Sequence, residues 1–329
     1  MKIACYSTRP YDKQQFDQAN KEFCFDIEYF DTALSENTCA LASGCDAVCI
    51  FVNDTANEGV LRCLAAHGVK IIALRCAGYN NVDLAVAKEL GLSVARVPAY
   101  SPHAVAEYTV ALLSCINRKI HKSHLRTKEM NFNLEGLLGV DLYEKTVGVI
   151  GTGIIGRLFA KIMLQGFGCK VIAYDPYPHQ ELLDLNIEYM TLNELFGRSD
   201  IISLHCPLTE ETKHMINEQS INMMKSQVII INTGRGALID TQAAIEGIKN
   251  KKIGGLAIDV YEEESKLFYT DRSDQIIKDD LFVRLINFPN VLVTGHQGFF
   301  TEEALKAIAQ TTLNNIALIS TKQECKNTL

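Results

Sequence analysis

The chain runs to 329 residues, enough for two domains of ordinary size with a core in each. Apolar residues make up 47% and charged residues 22%, the balance of a soluble globular protein and not of a disordered or fibrous one. A formal net charge of −7 argues against general nucleic-acid binding, and no apolar run is long enough to span a bilayer, so neither nucleic acid nor membrane is an expected partner.

At the N-terminus, MKIACYSTRP offers no apolar signal core, because the strand-like IACY gives way at once to polar residues; a cytoplasmic location is expected. The 11 cysteines are scattered, odd in number and mostly set in apolar segments, a pattern that suits buried reduced thiols better than disulfides. Cys45 and Cys49 stand four apart and no CxxC pair occurs, so no structural zinc or other metal site is expected.

Strand patterns come first in chain order. KIACYS, FDIEYF, DAVCIFV, VKIIALRCAG and SVARVP are short apolar runs, separated by polar or amphipathic stretches such as NEGVLRCLAAHG. That alternation predicts a parallel sheet with helices on its faces. Within it, CAGYNNVD has its own reading. Gly78 lets backbone approach a ligand, and NH groups around Gly78 and Tyr79 precede a helix running from Asp83 to Leu90, a setting for a small carboxylate or an ordinary strand-to-helix turn. Ser101 and Pro102 then open a long helix, HAVAEYTVALLSCINRKI. The basic run over residues 117–128 reads as a solvated or subunit-contacting helix face.

The most informative stretch follows. TVGVI reads as a strand, Gly151-Thr152-Gly153-Ile154-Ile155-Gly156 as a glycine-rich turn, RLFAKIMLQGFG as a helix and KVIAYD as a second strand closing on Asp175. Gly151 permits the turn, Gly153 admits a pyrophosphate and Gly156 lets helix and strand pack closely. Asp175, roughly 20 residues on, can accept hydrogen bonds from an adenosine ribose and repel a 2′-phosphate, which predicts NAD over NADP. A lone glycine turn is weak evidence. The strands, helix and terminal acid around this one make a dinucleotide site.

Further strands, DIISLHCP, QVIIINTG, GGLAIDV and NVLVTG, alternate with helical TLNELFGRS and DTQAAIEGIKNKK. The expected fold is therefore α/β, with two doubly wound parallel-sheet domains and a ligand cleft between them. The helix beginning near Thr301 comes after the last strand and is expected to return to the first domain. Residues 1–100 plus 299–329 would form one domain and residues 101–298 the cofactor-binding one.

Three charged residues stand at or just past strand ends. Arg235 lies between two glycines after QVIIIN, where its guanidinium can hold a carboxylate through paired hydrogen bonds. Glu264 lies five residues past Asp259, and His296 follows VLVT. An imidazole beside a carboxylate is held in one tautomer and suits proton exchange with a carbonyl or alcohol oxygen.

These motifs, GTGIIG with Asp175, LHCPLT, NTGRGALID, DVYEEE and GHQGFF, in that order and with CAGYNNVD and RVPAYSP before them, resemble the D-isomer-specific 2-hydroxyacid dehydrogenases over essentially the whole chain. The resemblance is strongest to the fermentative, lactate-forming branch. It implies a flavodoxin-like catalytic domain and a Rossmann NAD-binding domain. It also implies Arg235 as the substrate-orienting residue, Glu264 as partner of the histidine, and His296 as proton donor and acceptor. Cofactor contacts are implied at Ile155, Cys206, Pro207, Thr212, Thr233, Gly234 and Asp259 beside Gly151, Gly153, Gly156 and Asp175. Tyr100 and Phe299 are implied as pocket walls, with Gly78 and Tyr79, around a short substituent. Two positions depart from the common family pattern: Gly295 stands where many members have Pro, and Gly234 where many have Ser. Neither removes a reacting group.

The implied activity is reduction of pyruvate to D-lactate by NADH, in a homo-oligomer, dimer or tetramer. Two alternatives stay open. One is a dehydrogenase for a bulkier or different D-2-hydroxy acid; the other is an NAD-sensing binding protein related to transcriptional corepressors of the same fold.

Overall fold

The computed structural model describes residues 1–329, the side chain of Lys266 excepted. The chain divides into two compact units, Met1–Ser101 with Phe300–Leu329, and Pro102–Phe299.

The first unit is built from β1 (Lys2–Cys5), α1 (Pro10–Asn20), β2 (Asp26–Tyr29), β3 (Ala47–Ile50), α2 (Glu58–Ala66), β4 (Ile71–Leu74), α3 (Leu84–Glu89) and β5 (Ser93–Ala95). Its strands pair in parallel in the order β2-β1-β3-β4-β5, the flavodoxin-like arrangement expected. Every residue of β3 and β4 is buried because helices cover both faces, which is why these strands read as unbroken apolar runs. Side-chain alternation then sorts the residues. Ala4, Val48, Ile50, Ile72 and Leu74 pack with Leu61 and Leu64 of α2, while Ile3, Cys5, Ala47, Cys49, Ile71 and Ala73 pack on the other face with Phe16 of α1. Helix starts are marked by polar caps, such as Asn57 Oδ1 accepting from Val60 N at 3.0 Å.

The expectation of reduced thiols throughout needs correcting here. Cys39 and Cys63 form a disulfide that ties the turn Cys39–Ala42 to α2, and the other cysteines are free. Spacing and parity concealed this pair because the two residues meet only through the packing of that turn on α2 within the same core.

The second unit comprises α4 (Pro102–Arg118), α5 (Ile120–Lys128), β6 (Thr146–Ile150), α6 (Ile154–Lys161), β7 (Lys170–Tyr174), α7 (Gln180–Leu183), β8 (Glu188–Tyr189), α8 (Leu192–Arg198), β9 (Ile201–Leu204), α9 (Glu218–Met223), β10 (Val228–Asn232), α10 (Thr241–Lys249), β11 (Ile253–Ile258), α11 (Asp280–Ile286) and β12 (Val291–Val293). Its parallel sheet runs β12-β11-β10-β9-β6-β7-β8, so the order reverses between β6 and β9, the switch point of a Rossmann fold. Val147, Val149, Ile231 and Ala257 face Leu112, Leu113 and Ile116 of α4 and Phe159 of α6; Ile150, Ile202, Leu204 and Ile230 face Leu195 of α8 and Ile245 of α10.

Two helix expectations are revised. The long helix stops at Arg118, because Lys119 adopts a left-handed conformation (φ 52°), and α5 starts anew with no residue buried within the chain. The helix after the glycine turn begins at Ile154, inside the motif, and ends in a π-helical turn over Ile162–Gly166. The final helix, α12 (Glu302–Ser320), returns to the first unit, burying Ala309, Leu313 and Ile316 against β1, β3 and β4. No helix among the described residues is long and apolar enough to cross a membrane.

Candidate functional site

The glycine turn joins β6 to α6 at the switch point. Gly151 has φ +91°, and a Cβ there would strike the backbone of His205 and Cys206 at the end of β9; a Cβ on Gly156 would collide with the carbonyl oxygen of Gly151. Those two glycines are required by packing. Gly153 is different: its φ is −59°, open to any residue, and a Cβ would meet nothing within 4 Å. Glycine there serves no contact within the protein and leaves clear the approach to the N-terminus of α6, as a bound pyrophosphate requires. Asp175, half-buried at the end of β7, is held by Thr152 N (2.6 Å to Oδ2) and Tyr177 N (2.9 Å to Oδ1). Ile155 is half-buried on α6.

The loop after β9 folds on itself, with Thr212 Oγ1 donating to Pro207 O at 2.7 Å and accepting from Thr209 N at 2.8 Å. Burial pushes the Cys206 thiol up to about 11, so it stands beside the turn as a neutral group. Thr233 pairs its hydroxyl with that of Thr109 on α4 at 2.9 Å, anchoring the end of β10.

His296 Nδ1 lies 2.8 Å from Glu264 Oε1, and Glu264 Oε2 accepts from Tyr261 N at 3.0 Å. Their side chains are 21% and 24% exposed, so the pair is sheltered yet reachable. With Nδ1–H directed at the carboxylate, Nε2 is the ring atom left to exchange a proton. His296 is itself in the left-handed region (φ 52°), an uncommon conformation for a residue with a side chain. The loop is fixed by Asp259, 1% exposed, whose carbonyl accepts from His296 N (2.7 Å) and whose carboxylate accepts from Thr294 Oγ1 (2.6 Å), Gln297 N (2.9 Å) and Gly298 N (2.7 Å). Sequence reasoning placed Asp259 only among cofactor contacts and missed this organising role, which an acid at the end of a buried strand could have signalled.

Arg235 is half-buried in the turn after β10. Its Nη1 donates to Gly234 O at 2.8 Å, and it makes no ion pair among the described residues. The guanidinium is thus tethered, not wholly unobstructed as its glycine neighbours suggested. Asn232 braces the turn through its side chain, donating to Arg235 O at 2.9 Å and accepting from Gly234 N at 3.0 Å. A Cβ on Gly236 would collide with the Tyr261–Glu262 backbone, so the Arg235 turn lies directly on the turn carrying Glu264. A Cβ at Gly234 would come no nearer than 3.5 Å to another atom and one at Gly295 would meet nothing within 4 Å, so neither glycine is required by a close contact at its Cα.

In the second unit the candidate residues therefore stand past the carboxyl ends of six strands: β6, β7, β9, β10, β11 and β12. Phe299 ends this unit. Gly78, Tyr79 and Tyr100 belong to the first unit, in the segments after β4 and β5. The helix expected from Asp83 to Leu90 is α3, which starts at Leu84 with Asp83 as its cap, accepting from Val86 N at 3.1 Å.

Residues 110–298 match the family model for the NAD binding domain of D-isomer specific 2-hydroxyacid dehydrogenases. The whole chain is 55% identical over 329 residues to the D-lactate dehydrogenase of Escherichia coli (strain K12), covering 100% of both. The chain belongs to the D-isomer specific 2-hydroxyacid dehydrogenases. Two solved structures share this dehydrogenase's fold along its length. The apo D-lactate dehydrogenase of Escherichia coli gives a TM-score of 0.93 at 53% identity, with 100% of each chain covered. The pyruvate reductase of Chlamydomonas reinhardtii gives 0.95 at 42%, with 99% and 98% covered. The dehydrogenase is an oxidoreductase with NAD as its cofactor, in keeping with the glycine turn and Asp175.

Proposed function

We propose that this dehydrogenase reduces pyruvate to D-lactate, with His296 as proton donor, Glu264 as its partner and Arg235 as the group that holds the substrate carboxylate. The observation that carries the reading is the 2.8 Å His296–Glu264 pair at the carboxyl ends of the cofactor-binding sheet, one turn away from an arginine with no carboxylate partner among the described residues. Bound NADH would supply the hydride to C2 of the keto acid and leave as NAD+. Gly151, Gly153, Ile155 and Gly156 would hold the pyrophosphate and Asp175 the adenosine ribose. Cys206, Pro207, Thr212, Thr233, Gly234 and Asp259 would line the rest of the site. Nε2 of His296 would pass its proton to the former carbonyl oxygen, and Glu264 would stabilise the imidazole in the orientation this needs. In the first unit, residues 1–100 with the C-terminal helix, the NH groups of Gly78 and Tyr79 are assigned to the substrate carboxylate. Tyr100 and Phe299 are assigned to walls around the methyl group.

A panel of 2-keto acids with NADH and chiral product analysis tests this. Pyruvate should show the highest kcat/KM and yield the D isomer. Activity on 2-ketobutyrate fits as well, since one methylene is worth only about 1 to 3 kcal/mol. Higher efficiency with 2-ketoisocaproate or phenylpyruvate would defeat the pyruvate assignment, and absence of turnover with every keto acid would favour a binding protein.

The same reading includes a homo-oligomer in the cytoplasm. Support for a second copy comes from the segment after α5, where Met130, Phe132, Leu134 and Leu138 are exposed, Leu138 to 89%, a run of apolar surface beyond what an isolated chain ordinarily shows.

A further inference from the structure

Arg96, half-buried just past β5, reaches the turn after β4 in two ways: Nη1 donates to Ala77 O at 2.7 Å, and Cζ lies 5.1 Å from the centre of the Tyr79 ring. The peptide group is planar, so Ala77 C=O and Gly78 N–H belong to one rigid unit and point in opposite directions. A cation holding the carbonyl therefore fixes the direction of the Gly78 N–H and, by polarising the peptide, strengthens it as a donor. The next peptide is held likewise, with the Cys76 thiol donating to Gly78 O at 3.2 Å and so fixing the Tyr79 N–H. Neither of these N–H groups donates to an acceptor among the described residues. Arg96 is itself anchored: its N donates to Asn327 O at 3.1 Å and its O accepts from Asn315 Nδ2 at 2.9 Å, both from the C-terminal segment of the same unit.

We propose that Arg96 is the positioning residue of a two-N–H carboxylate clasp at Gly78 and Tyr79, acting through the Ala77 peptide and the Tyr79 ring, with Cys76 as the lesser brace. The inference rests on the assignment of this turn to the substrate carboxylate. The role assigned to Arg96 is in keto-acid binding alone, so the proposal requires cofactor binding to be unaffected by its replacement.

Steady-state kinetics with pyruvate, inhibition by oxamate and NADH binding by fluorescence, on the full-length protein, test it. Arg96→Met should raise KM for pyruvate and Ki for oxamate together by about 10-fold, the scale of a lost charge-assisted hydrogen bond and cation–π contact. Saturated kcat and Kd for NADH should remain near wild type, the signature of lost uniform binding. Arg96→Lys keeps a donor but not the planar stack and should fall between. An unchanged pyruvate KM in either folded variant would overturn the proposal, as would a loss confined to kcat or an equal weakening of NADH. If Arg96→Met does not fold, Arg96→Lys decides alone: a raised KM supports the clasp and a wild-type KM sinks it. A wild-type enzyme inert toward pyruvate would defeat the proposed function and this inference with it, whereas an active wild type with indifferent Arg96 variants defeats this inference only.

Discussion

His296 is held at its backbone by Asp259, at its ring by Glu264, and in a left-handed conformation that the surrounding loop must impose. Such a group is placed for proton transfer, and its removal should leave the fold and cofactor site intact. His296→Gln is expected to lower kcat by roughly 10²- to 10⁴-fold while NADH binding persists, and Glu264→Gln should lose less because the imidazole remains. Near-normal turnover in His296→Gln, measured beside NADH titration, would remove the proposed proton donor. Asp175 supports a second test. Its carboxylate accepts two backbone NH groups besides the ribose contact proposed for it, so Asp175→Asn disturbs the turn less than alanine would while removing the charge. Wild type should prefer NADH to NADPH and Asp175→Asn should narrow the gap; equal use of both cofactors by wild type would reject the role.

At the level of elements, the strand ends couple chemistry to stability. His205 closes β9 with its ring 5.2 Å from that of Phe159 on α6 and Nε2 2.8 Å from Ser203 Oγ. Burial pushes it down to about 4 from an ordinary 6.5. The unfolded chain thus takes up a proton near 6.5 that the folded chain refuses until about 4. The contribution of this residue is fully present well above pH 6.5 and is lost as pH drops through that window, on the order of 2 to 3 kcal/mol. Urea unfolding at pH 7.5 and pH 5 should show the loss in wild type and a smaller one in His205→Gln; identical pH dependence in the two proteins would refute the cause.

For the molecule as a whole, each unit has its own pair of cores on the two faces of its own sheet. The apolar surface left over is concentrated after α5. Light scattering on the eluting protein should report a dimer or larger species at micromolar concentration, and the double change Leu134→Asp with Leu138→Asp should reduce its mass. A monomeric wild type would dispose of the proposed oligomer.

The sheet of each unit, the glycine turn and the order of the strand-end motifs were legible in the chain because their causes are local or periodic: β-branched apolar runs bury on both faces, polar residues cap helices, and Gly151 and Gly156 are demanded by close backbone contacts at one turn. The family resemblance then pointed to Arg235, Glu264 and His296 together. The Cys39–Cys63 bond, the break at Lys119, the carboxylate of Asp259 binding the histidine loop and the hold of Arg96 on the Ala77 peptide were decided by tertiary structure alone. Each depends on groups well apart in sequence meeting, or on a backbone angle set by its surroundings, and no pattern of spacing encodes which side chains a packed core brings within hydrogen-bonding reach.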